Sequence, residues 1–375
     1  MHKVTFFPTG NADCCRVDLA NGEKLLFDYA DMRCADDAGD KRIDLRKALR
    51  NDLTAAKRSD YNVVAFTHLD NDHICGSTEF FELSHDKKYQ GGDRISIGEL
   101  WVPAFVICED PEECSEEALV IQKEARYRLK QRTGIRVFSR PDALKAWMAK
   151  NGVQFETVKH LITDAGQLVP GFTQADDGVE FFVHSPFASR HDDGTFTDRN
   201  TNSLVLQATF VVDGMQTRLI LAADSTHDVL SEIVNITRGH NRDERLEWDV
   251  FKQPHHCSYK SLSNERGKEK TVPVEAVKWL FEDHAQSAAI VVSPSWPIPL
   301  KDSDDDDDQP PHRQAANYQR GIASTRKGQF IVTMEHPKVS SPEELVITID
   351  KFKATIGKRA IGAAYITSRA APRAG

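Results

Sequence analysis

Nowhere does the sequence carry an apolar run that approaches the length of a membrane span. It has no paired Cys-x-x-Cys spacing, which excludes the common structural zinc sites. Its seven cysteines, at positions 14, 15, 34, 75, 108, 114 and 257, are odd in number and show no framework spacing. A disulfide-built domain is therefore excluded, and a reducing cytoplasm is the simplest expected location. Net positive charge is also missing: the formal charge is -9, which argues against a broad basic surface that coats nucleic acid, though a local basic groove stays compatible with it. The opening MHKVTFFPTG lacks a signal-peptide pattern and reads as an immediate strand. There is no internal repeat. What is present is 375 residues with 40% hydrophobic content, enough for a sizeable core.

Short apolar strands alternate with turns in the first third, at residues 3–7, 15–18 and 24–28. Ile43, Leu45, Leu49 and Leu53 predict a helix over 42–57. A buried-type strand is expected at 61–66 and another at 98–102. A charged helical stretch, taken as an insertion over about 109–152, follows. Strands return at 180–184, 203–211, 217–222, 249–253 and 288–293, with helices near 226–236 and 273–281. Residues 329–334 and 345–349 read as a closing pair. The acidic run within 301–311 reads as a solvated loop and 368–375 as a frayed tail. With no clear linker, residues 1–367 are expected to form one α/β domain.

The stretch with the most chemistry is FTHLDNDHICG, residues 66–76. It sets His68, Asp70, Asp72 and His73 on one turn at the end of an apolar strand, ahead of an expected helix over 74–83. A tight loop can aim all four at one point, and imidazole with carboxylate suits a divalent metal, with oxygen ligands favouring harder ions. The competing reading is a polar turn in which Asp72 caps a helix. Later strand ends add weight to the metal reading. The strand at 180–184 ends in His184, LILAADS ends on Asp224, and FKQPHHCS carries His255 and His256; His312 follows the acidic run. Functional groups of open α/β sheets gather beyond the strand C-termini.

These segments resemble the metallo-β-lactamase-fold hydrolases, and within them the soluble metallohydrolase domain of ComEC-type DNA-uptake proteins. THLDNDHICG resembles that family's S-H-x-D-x-D-H-x-G-G. NTNSLVL resembles N-x-x-S-L-V-L, and FKQPHHCSYKS resembles L-K-V-P-H-H-G-S-x-x-S. FFPTGNADCCRVDLANGEKLLFDYA resembles the opening segment, without its Gln-Gly-Asp. The likeness runs in order over residues 4–335. Cys75, Ala223 and Cys257 stand where the family has glycine, and His312 lies in PPHRQ rather than in a His-Pro pair.

The resemblance implies an αββα sandwich with an inserted helical segment, and two divalent ions, Zn²⁺ or Mn²⁺. It implies that His68, Asp70 and His184 hold one ion, that Asp72, His73 and His312 hold the other, and that Asp224 bridges them. Asp72, Asp224 and His255 are then the expected catalytic residues: a metal-bridging hydroxide attacks phosphorus, and His255 either ligates a metal or assists the leaving group. His256 orients its loop, Asp28 supports the ligand turn, Asn202 is substrate-side or structural, and Lys252 is one of the basic groups near the site. Cys257 is either a soft ligand or a small thiol filling the glycine position. The expected activity is that of a phosphodiesterase or nuclease. Nucleic acid leads as substrate, and a protein partner in nucleic-acid processing or defence is conceivable by analogy. A hydrolase of a small phosphodiester, thioester or lactam is the alternative, and a non-catalytic metal-binding module is a third.

Overall fold

Near-continuous apolar runs let the central strands bury both faces, one against a helix layer and one against a second sheet. A computed structural model describes residues 1–188, 199–301 and 309–357. The expected acidic loop lies mostly, and the expected tail wholly, outside the described residues.

Two sheets face each other. The first runs β15-β14-β1-β2-β3-β4-β5-β6-β7. Its strands are β1 (His2–Phe6), β2 (Cys15–Asp18), β3 (Lys24–Phe27), β4 (Asp60–Ala65), β5 (Ser96–Pro103), β6 (Ile135–Phe138), β7 (Ile162–Thr163), β14 (Leu345–Asp350) and β15 (Lys353–Ile356). The second runs β13-β12-β11-β10-β9-β8. It comprises β8 (Val179–Ser185), β9 (Val205–Val212), β10 (Met215–Leu221), β11 (Trp248–Lys252), β12 (Ala285–Ser293) and β13 (Gln329–Val332).

Three cores define four layers. Between the sheets, Val4, Phe6, Phe27 and Trp101 meet Phe181, Leu206, Leu219 and Val250. On the outer face of the first sheet pack Leu45, Leu49 and Leu53 of α1 (Leu45–Ala55), with Ile121 and Leu129 of α2 (Glu116–Gln131) and Leu144 of α3 (Asp142–Lys150). On the outer face of the second pack Val229 and Ile233 of α4 (His227–Gly239), Val277 and Phe281 of α5 (Glu275–Glu282), and Ala316 and Ile322 of α6 (Arg313–Thr325). The order is αββα, as the metallo-β-lactamase type of fold requires. Among the described residues, no helix is long and apolar enough to cross a membrane.

Three local expectations differ from the structure. The helix expected over 74–83 is two single turns, Asn71–Ile74 and Ser77–Phe80, because Gly76 sits at φ +76° between them. The stretch taken as a helical insertion contains β6, which pairs in parallel with β5 and extends the first sheet. The expected closing pair is split: β13 pairs with β12 in the second sheet, whereas β14 pairs with β1 in the first.

Strand direction places the site. β3 and β4 run parallel, with Phe27 beside Ala65, and β10 and β11 run parallel, with Leu221 beside Lys252. Their C-terminal ends carry Asp28, the ligand turn, Asp224 and the histidine pair. One backbone bond ties the sheets there, from Leu204 N–H to the Thr67 carbonyl at 3.0 Å.

Candidate metal centre

Asp72, His73, Asp224 and His256 bring one potential ligand atom each into a group whose members all lie within 4.8 Å of one another. They come from the ends of three strands, β4, β10 and β11. His73 and Asp224 are buried, with His73 Nε2 3.2 Å from Asp224 Oδ1. His256 Nε2 lies 3.1 Å from Asp72 Oδ2 and 3.6 Å from Asp224 Oδ2.

Both imidazoles are oriented from behind. His73 Nδ1 meets Asp28 Oδ2 at 2.9 Å, and Asp28 is itself held by Thr67, whose backbone N–H donates at 2.7 Å and whose Oγ1 donates at 2.8 Å. His256 Nδ1 meets the Pro294 carbonyl at 2.8 Å. A carbonyl only accepts, so Nδ1 carries a proton and Nε2 is the nitrogen turned into the group. This is the arrangement of metal-binding histidines, whose far nitrogen is anchored by an acceptor.

The charges also suit a cation. Asp13, Asp28, Asp72 and Asp224 crowd this region, and the lysine set among them is Lys252, buried and paired with Asp13. Burial opposes the charge on His73, yet Asp224, Asp28 and Asp13 outweigh it and raise its pKa well above the ordinary value. Burial is likewise overcome at His256, where Asp224 and the bond to Asp72 lift the pKa to about 9. Burial disfavours the Asp224 carboxylate, but His256 and His73 hold its pKa well below the usual range. Without an ion, protons on the two histidines balance the carboxylates. A divalent cation supplies the same charge and uses the same lone pairs, so the donor set fits one.

Backbone strain concentrates at this edge. Asp28 (φ 57°), Ala223 (φ 46°), His255 (φ 51°), His256 (φ 50°) and Cys257 (φ 68°) all adopt the left-handed conformation. Each costs on the order of 1–3 kcal/mol in a non-glycine residue, and such costs persist where function over-determines the geometry. The successive left-handed residues 255–257 turn the chain so that His256, not His255, enters the group.

The other expected residues are placed differently. His68 is buried against His73, ring centroids 3.9 Å apart, and its Nε2 lies 3.5 Å from Asp70 Oδ2. Asp70 is 38% exposed at its side chain, and its Oδ1 accepts from Arg199 Nη1 at 2.9 Å. His184 turns to the helix side of the second sheet, in a cavity of about 370 Å³ shared with Phe182, Phe187, Ile236, His240 and Arg242. Burial, with Arg245 and Arg242 nearby, lowers its pKa to about 4. The structure does not bring His184 to His68 and Asp70: it lies against Phe182, ring centroids 5.0 Å apart, where the register of β8 on β9 shifts between Val183 and Ser185. His312 packs edge-on against Tyr259, centroids 4.8 Å apart, and lies outside both clusters of potential ligands among the described residues. His256, expected to orient its loop, instead brings a ring nitrogen into the group.

His255 is half-buried, its backbone N–H donates to Asp224 Oδ1 at 3.3 Å, and its Nδ1 has no hydrogen-bond partner among the described residues. Lys252 Nζ also donates to the Ala223 carbonyl at 3.2 Å, bracing the turn into Asp224. Asn202 is buried beside the Leu204–Thr67 link between the sheets. Burial pushes the Cys257 thiol up to about 12, so it stays protonated; its side chain packs in the outer core of the second sheet. Asp13 was not legible as a site residue. Its backbone N–H donates to the Asp72 carbonyl at 2.8 Å and its side chain lies 3.7 Å from His73 Nδ1. The available signal was a charged residue set between Ala12 and the Cys14-Cys15 pair.

No protein-family profile and no curated protein sequence matches this chain. Solved structures do. A new diphosphatase from the PhnP family is 10% identical at TM-score 0.30, over 78% of this chain and 86% of that one. Unliganded yeast PDE1 is 10% identical at TM-score 0.41, over 88% and 96%. The class B3 di-zinc metallo-β-lactamase LRA-12, from an Alaskan soil metagenome, is 11% identical at TM-score 0.30, over 66% and 76%. At such identities and scores these likenesses add no weight to a functional assignment.

Proposed function

We propose that this chain is a metal-dependent hydrolase of phosphodiesters, with nucleic acid as the leading substrate. The observation that carries the hydrolase reading is the meeting of Asp72, His73, Asp224 and His256, with both histidines anchored through Nδ1. The phosphodiester part rests on the ordered resemblance to the ComEC-type soluble domain. That resemblance implies two ions, zinc or manganese; the convergence of the four residues supports one in their group.

A bound divalent ion supplies Lewis-acid polarisation and neutralises charge developing on a phosphoryl oxygen. The chain's own groups do the rest. Asp72, His73, Asp224 and His256 hold the ion. Asp28 and the Pro294 carbonyl fix the two rings. Lys252, with Asp13, keeps the Asp224 turn in place. His255, beside Asp224 and half-exposed, is placed to pass a proton to a departing oxygen. The same reading treats residues 1–367 as one domain. The seven cysteines are free, which supports a reducing cytoplasm, and a protein partner in nucleic-acid processing or defence fits such an activity.

The net charge of -9 favours a second reading, a hydrolase of a small phosphodiester, thioester or lactam. Both are tested by one panel. Protein purified without chelator is assayed with Mn²⁺ and Zn²⁺ on single- and double-stranded DNA, RNA, bis-p-nitrophenyl phosphate and nitrocefin, beside Asp224→Asn. Strand cleavage lost in the variant supports the nuclease. Turnover of the small esters alone supports the second reading. Bound metal with no turnover of any substrate would favour a binding module and overturn both.

A further inference from the structure

Resting on the metal-dependent reading above, we infer that the chain holds a single divalent ion, among Asp72, His73, Asp224 and His256, and that the Arg199 guanidinium occupies the place at Asp70 that a second ion would need. Three observations carry this. First, Arg199 is fixed from several directions. Its Nη1 donates to Asp70 Oδ1 at 2.9 Å and to the Leu69 carbonyl at 3.1 Å, its Nε donates to Glu109 Oε1 at 2.7 Å, and its Nη2 reaches the Glu113 carbonyl at 3.3 Å. Glu109 is buried, so this guanidinium is built in rather than resting on the surface. Second, the remaining donors for a second ion are not assembled. His184 faces the opposite side of its sheet, among Phe182, Phe187 and Arg242. Third, the group formed by potential ligands at this edge excludes both His68 and Asp70, which stand beside it.

The chemistry is coherent. A guanidinium is permanently charged and matches carboxylate and phosphate geometry alike. Held at Asp70, it sets a fixed positive charge next to the ion-binding group. Its donors are spent on Asp70, Glu109 and the Leu69 and Glu113 carbonyls, so it fills the place beside Asp70 and neutralises that carboxylate as a second ion would.

The test is the count of ions on the full chain. Metal content is measured by inductively coupled plasma mass spectrometry after equilibration with Mn²⁺ or Zn²⁺ and removal of excess, for wild type, Asp70→Asn, Asp72→Asn and Arg199→Ala, with circular dichroism on each. One ion per wild-type chain is expected, kept in Asp70→Asn and lost in Asp72→Asn. Arg199→Ala frees Asp70 beside His68, and its Mn²⁺ titration is expected to show a second, weaker ion. Two ions on wild type, or loss of the ion in a folded Asp70→Asn, overturns the inference and leaves the hydrolase reading standing. No ion on wild type overturns the hydrolase reading itself. An Arg199→Ala chain that stays at one ion refutes the role given to the guanidinium.

Discussion

Replacing Lys252 by methionine tests how this edge of the molecule manages its buried charge. Lys252 and Asp13 are both buried, at 5% and 1% exposure, and their side chains form an ion pair. Burial works against the lysine's charge, but Asp13 and Asp224 outweigh it and raise its pKa, so the pair is ionic. Methionine keeps much of the volume and removes the cation. Asp13 is then left among Asp28, Asp224 and the protonated His73, which Asp28 already engages at 2.9 Å. Breaking a buried pair by removing one partner costs about 3–5 kcal/mol. For a chain of this length the unfolding entropy is about 0.8 kcal/mol/K, so the midpoint should fall by about 4–6 °C. The assay is thermal and urea denaturation of chelator-treated protein, which keeps ion binding out of the comparison. Asp13→Asn together with Lys252→Met removes both charges and should recover more than half of the loss, a non-additivity expected of groups in contact. A loss under about 1 kcal/mol, or a double variant equal to the sum of the singles, would refute the argument that this pair is coupled.

Three further outcomes are expected. In metal-free protein, the His256 pKa of about 9 lies above its unfolded value, so the stability it contributes is full below about pH 6.5 and is lost as pH rises through 9; the loss is on the order of 3 kcal/mol, read by urea titrations at pH 6 and 9.5, and a flat response would remove the charge from His256. His256→Ala should abolish tight ion binding while His312→Ala leaves it within about twofold, checked by calorimetric titration with Zn²⁺. Gly328→Ala should unfold the chain or displace β13, since an added Cβ would collide with the Ala289 carbonyl oxygen; native-like dichroism and an unchanged midpoint would contradict this.

Strand ends were the most legible part of the sequence. Apolar runs that stop on His, Asp or Pro-His-His mark where side chains leave the sheet, and β4, β10 and β11 do this within a residue or two of expectation. Which of two adjacent histidines enters the site was not legible. That choice follows from left-handed backbone at residues 255–257, and all three are ordinary L-residues, with no glycine to announce the turn. His184 misleads for a different reason. In β8 the alternation Val179, Phe181, Val183 sets the inner face, but the register shifts between Val183 and Ser185, an irregularity that nothing in the sequence announces. β6 and β7 are four and two residues long between charged helices, too short for periodicity to register. The αββα order, by contrast, follows from two groups of strands that each carry their own amphipathic helices.

The pairing of β1 with β14 joins residues 2–6 to residues 345–349, nearly the whole length of the chain. During synthesis the first strand therefore waits for its neighbour until almost every other residue has been made. In that interval one edge of β1 stands open, with Val4 and Phe6 ready to pair with any extended segment nearby. The four ion-binding residues and the Pro294 carbonyl that anchors His256 are all made before β14, so the group can assemble before the first sheet closes. Chains that stop between these two points should bind metal, and they should aggregate through the N-terminal strand.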